Sequence, residues 1–77
     1  MPGRRLPRGL SGNEVVRALQ RAGFYLKRQK GSHMVLRRDD PFAQVTVPAH
    51  RSIDTGTLAS ILDGADLTVE RFVQLLR

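Results

Sequence analysis

Histidine is the side chain that exchanges protons near neutral pH without special surroundings, and the sequence holds two, His33 and His50. His33 follows Gly31-Ser32 and has Lys27, Arg28, Lys30 and Arg37 close by in the chain. An imidazole among cations suits cleavage of a phosphodiester: the ring takes a proton from a hydroxyl while the cations hold the phosphate and stabilise its developing charge. In RNA the 2′-hydroxyl is already in place as a nucleophile, so the protein need not supply one. On this reading His33 is the candidate general base, and Lys27, Arg28, Lys30, Gly31, Ser32 and Arg37 are candidate RNA contacts. His50, in Pro48-Ala49-His50-Arg51, fits a loop residue contacting phosphate better than a second catalytic group. Tyr25 could stack on a base or close the edge of a sheet. Residue type alone does not make an exposed histidine catalytic, since most are ordinary hydrogen-bonding surface groups. The cationic company of His33 is what singles it out.

The charge of the whole chain points the same way. Thirteen Lys and Arg against seven Asp and Glu give a net charge of +6, and the excess is unevenly placed. Residues 1–38 carry ten cations against Glu14 alone, whereas residues 39–77 carry Arg51, Arg71 and Arg77 against six acids. A field so polarised favours a polyanion on one side, although a merely solubilising surface has the same composition. The absence of cysteine removes disulfides and thiolate ligands, and two histidines do not make a metal cage, so neither a metal nor another cofactor is expected. No stretch approaches the roughly 20 apolar residues of a membrane span, and the basic N-terminus has no apolar segment after it. The expectation is a cytoplasmic protein with no membrane association.

The elements that must position these residues follow from periodicity. Residues 1–9, rich in Arg, Pro and Gly, read as a loose basic arm, and residues 10–77 as a single domain. Ser11 and Glu14 form a capping box that opens a helix carrying Val15, Val16, Leu19 and Ala22, ended by Gly23. From Phe24 the period becomes two, Gly31 marks a turn, and strands follow from about His33 to Arg38 and from Ala43 to Val47, where Pro48 ends the third. Asp54 or Thr55 caps a helix with Leu58, Ile61 and Leu62 that stops at Gly64, and Thr68 caps a last one with Val69, Phe72, Val73 and Leu76. The fold class is α+β, order α-β-β-β-α-α, a three-stranded antiparallel sheet with helices on one face and water on the other.

If Leu26 and Leu36 both face the helices, a regular ladder pairs residues whose numbers sum to an even value, such as Gln29 with His33 across a three-residue turn, Lys30-Gly31-Ser32. That register gathers Tyr25, Lys27, Gln29, His33, Val35 and Arg37 on the outer face, with Gln44 and Thr46 beside them. Gly-Ser-His-Met at 31–34 also spells a tag-cleavage remnant, but its place inside a strand pattern marks it as native.

Arg28-Gln29-Lys30-Gly31-Ser32-His33, then Val45-Thr46-Val47-Pro48 with His50, then Gly56-Thr57-Leu58 and Ile61-Leu62, closely resemble the HicA family of toxins over about residues 11–77. Where many relatives have a second histidine directly after the first, this chain has Met34. The resemblance implies a fold similar to double-stranded RNA-binding domains, an mRNA interferase that cuts RNA with His33 as catalytic residue, and a HicB antitoxin as partner. Two rivals stand beside it: a non-catalytic module gripping RNA by shape and charge, and a subunit whose basic face docks only an acidic protein.

Overall fold

Ser11 begins the first helix as its spacing to Glu14 predicts. Its hydroxyl accepts from the Glu14 N–H (3.1 Å), and the Glu14 carboxylate accepts from the Ser11 N–H (3.0 Å), so each satisfies a donor that the helix start would leave unpaired. In the computed structural model, which describes residues 5–77, this cap starts α1 (Gly12–Arg21), and Gly23 (φ +94°) closes it. Three antiparallel strands follow, β1 (Tyr25–Lys30), β2 (His33–Asp39) and β3 (Phe42–Pro48), side by side in the order β1-β2-β3. Asp54 caps α2 (Thr55–Gly64), and Thr68 caps α3 (Val69–Leu75). The predicted order α-β-β-β-α-α is thus the observed one.

The helices share one face of the sheet. Met34 and Leu36 of β2 and Ala43, Val45 and Val47 of β3 are buried against Val15, Leu19, Leu58 and Phe72, each large side chain contributing about 1.5–3 kcal/mol by leaving water. On β3 the alternation is strict, with Phe42, Gln44 and Thr46 exposed between buried neighbours. α2 ends at Gly64, as expected, with Gly64 lying against Val45 of β3, and the left-handed residue that follows is Asp66 (φ +57°). One detail differs from expectation. Leu26 does pair with Leu36, but β1 is an edge strand and leaves it 43% exposed.

The larger difference is in the first hairpin. Leu26 pairs with Leu36, as predicted, yet Arg28 pairs with Val35, Gln29 with Met34 and Lys30 with His33. Lys27 is therefore the extra residue of a β-bulge, which changes the parity of the ladder so that a two-residue turn, Gly31-Ser32, closes it. The predicted three-residue turn and the pairing of Gln29 with His33 do not occur. Lys27 falls outside the pairing and Gln29 shares the face of buried Met34, while Arg28 and Lys30 stand on the outer face opposite Val35 and His33.

Of the segment expected to form a basic arm, residues 1–4, Arg4 among them, lie outside the described residues. Leu6 and Leu10 are half-buried against the core, and the Leu10 carbonyl accepts from the Ile53 N–H (2.7 Å). At α2 the Asp54 carboxylate accepts from the Thr57 N–H (2.7 Å) and hydroxyl (3.2 Å), bonds that hold it below the usual carboxylate range.

Candidate active site

Gly31 takes a positive φ of +59° with open space where a side chain would be, the signature of a tight turn with glycine at its first central position. The turn is pinned from the other side, since the Ser32 carbonyl accepts from the Ala49 N–H at 2.6 Å. The Gly31-Ser32-His33 and Pro48-Ala49-His50 segments, 17 positions apart in sequence from His33 to His50, are thereby held together. His33, first residue of the central strand, stands between Lys30 of β1 and Pro48 of β3.

The outer face then reads as rows across the sheet. Below the row of Lys30, His33 and Pro48 lies that of Arg28, Val35 and Thr46, then Tyr25, Arg37 and Gln44, then Asp39 and Phe42. Directly paired side chains stand roughly 5 Å apart, so His33 has a cation in its own row and another in the next. These upper rows enclose a shallow concavity of about 740 Å³ lined by Arg28, Lys30, Gly31, Ser32, His33, Val35 and Thr46. Val35, only 9% exposed although it faces away from the helices, forms its apolar floor, while the imidazole of His33 is exposed at its rim. An apolar floor with cations and a proton acceptor above it is suited to an anionic group that must be held and partly dehydrated.

The structure brings together five of the residues singled out from sequence, Arg28, Lys30, Gly31, Ser32 and His33, and adds Val35 and Thr46. Arg37 stands on the same face one row away, its Nε bonded to Asp39 at 2.7 Å and its guanidinium 5.1 Å from the centre of the Phe42 ring. Lys27 is exposed at the bulge. His50 lines a different groove with Ser11, Asn13, Ala49 and Arg51, and its carbonyl accepts from the Gly12 N–H (2.9 Å). Thr46 was legible from the alternation of β3; the exposed ring of Phe42 was hidden by the Asp-Asp-Pro turn before it. Among the described residues no group of three or more His, Cys, Asp or Glu could hold a metal ion, and no helix is long and apolar enough to cross a membrane.

No curated protein matches the chain. A family model described as HicA toxin of bacterial toxin-antitoxin matches residues 12–67, from the start of α1 to just beyond α2. That span contains the hairpin turn, the concavity and the loop that pins it. Because the match takes in most of the sequence, the chain belongs to the HicA family, toxins of bacterial toxin–antitoxin systems.

Proposed function

We propose that this toxin is a metal-independent endoribonuclease, an mRNA interferase, acting in the cytoplasm and neutralised by a HicB-type antitoxin. The observation that carries the proposal is an exposed imidazole at the rim of a concavity whose other polar groups include Arg28 and Lys30. Neutral His33 takes the proton of a ribose 2′-hydroxyl. The 2′-oxygen bonds to the adjacent phosphorus as the bond to the 5′-oxygen breaks, leaving a 2′,3′-cyclic phosphate and a 5′-oxygen that acquires a proton from the imidazolium or from water. Arg28 and Lys30 stabilise the added negative charge on phosphorus. A positioned general base supplies roughly 10²- to 10⁴-fold in rate, slow chemistry that suffices against a limited pool of messages.

A translating extract containing wild type or His33→Ala, scored for RNA integrity, tests this. The variant is expected to lose cleavage and translational arrest while keeping fold and RNA affinity, because His33 is exposed and belongs to no core contact. Retention of the full effect by His33→Ala would mark a binding module without chemistry. A substrate bearing 2′-deoxy at the cut site should resist cleavage; continued cutting would mean that water is the nucleophile.

A further inference from the structure

Phe42 is 64% exposed, the most exposed large hydrophobic side chain among the described residues. A lone exposed ring needs no explanation, but this one is held in a built cluster. The Arg37 guanidinium lies 5.1 Å from its centroid; Asp39 bonds Arg37 Nε at 2.7 Å; and Asp39 also accepts from the Tyr25 hydroxyl at 3.2 Å. All four residues occupy the lowest two rows of the sheet face that carries His33. Asp39 is the only acid in those rows, and Arg37 pairs with it, so the face as a whole attracts phosphate.

We propose that Phe42, backed by Arg37, is a stacking subsite for a nucleobase of the single-stranded RNA whose scissile phosphate lies at His33. The inference rests on the endoribonuclease reading and extends it to how the substrate is held. A ring with a guanidinium over one face presents the other to solvent, and every base offers a π-face to it. From His33 to Asp39, the partner of Phe42, is six residues of extended strand, about 20 Å at about 3.3 Å per residue. That length corresponds to about six stacked nucleotides at about 3.4 Å each, fewer if the strand is drawn out. The intervening rows offer Arg28 and Arg37 to the backbone and Thr46 and Gln44 as hydrogen-bonding groups.

The chain has no tryptophan, so Phe42→Trp places a sole tryptophan, excited selectively over Tyr25, at the subsite. A fluorescein-labelled 12-nucleotide single-stranded RNA of mixed sequence, bound to proteins that also carry His33→Ala to prevent cleavage, is the probe. Phe42→Ala is expected to weaken binding roughly 5- to 100-fold, and Phe42→Trp to keep affinity and have its emission quenched by the RNA. An oligonucleotide with abasic positions should bind both variants alike, since stacking needs bases and charge contacts do not. Unchanged affinity of Phe42→Ala, or Trp emission indifferent to saturating RNA, overturns the subsite; emission that responds only to the antitoxin assigns the ring to protein docking instead. If no variant binds RNA, the nuclease reading itself falls, whereas cleavage that depends on His33 but not on Phe42 removes the subsite alone.

Discussion

One unpaired residue in β1 decides which cations accompany His33. With Lys27 accommodated as a bulge, Arg28 and Lys30 turn toward the outer face and line the concavity, while Lys27 remains outside the ladder. Chemically the two neighbours are nearly equivalent in charge, so exchanging them tests geometry rather than composition. Arg28→Ala should weaken binding of single-stranded RNA several-fold at low salt and reduce the salt dependence by about 0.7 in log–log slope, the effect of one released phosphate contact. Lys27→Ala should leave that slope within error. Titrations at several salt concentrations distinguish the residues, and equal losses from both would mean that the bulge does not select between them. Gly31 acts at the same scale through backbone alone, because a side chain there would meet open space yet require a left-handed φ.

At the scale of elements, the helices were legible because their signals are local: Ser11 with Glu14, Asp54 and Thr68 each satisfy the first free amides of the helix that follows. The third strand was legible because it is wet on one face only, so burial imposes a strict alternation on its sequence. The hairpin was not, and the reason is physical. Every residue of β1 is exposed, so no burial pattern fixes its phase, and nothing in Lys27-Arg28-Gln29 announces an inserted residue. The better signal was Gly31-Ser32, which favours a two-residue turn more strongly than an exposed strand favours unbroken alternation. Long-range pinning was equally hidden: Gly12 could be placed in α1 from sequence, but not its approach to β3. A Cβ at Gly12 would stand 2.2 Å from the Pro48 carbonyl oxygen, backbone that cannot rotate aside. Gly12→Ala is expected to destabilise by about 1–3 kcal/mol, read as a lower denaturant midpoint. Since Pro48 pairs with His33 and Ala49 bonds Ser32, cleavage should fall as well in the fraction that remains folded; an unchanged midpoint would show that α1 and β3 separate without cost.

Across the whole molecule, the charge asymmetry seen along the chain becomes an asymmetry between layers. The strands carry Lys27, Arg28, Lys30, Arg37 and Arg38 against Asp39, whereas the helices and their caps carry Arg17, Arg21 and Arg71 against Glu14, Asp54, Asp63 and Glu70. Arg5 and Arg8 accompany that layer, lining a groove beside Thr55 at the start of α2. Two basic regions therefore compete as the path of RNA, and salt dependence separates them because each neutralised phosphate of a single strand adds about −0.7 to the slope. Two or three sheet-face cations, with Arg37 already shared with Asp39, predict a slope between about −1.4 and −2.1 for the wild type. The double variant Arg28→Ala/Lys30→Ala should bring it to between zero and about −0.7, and Arg5→Ala/Arg8→Ala should leave it in place. Were the second pair to flatten the slope while the first did not, RNA would be crossing the helices, and the imidazole of His33 would face no substrate.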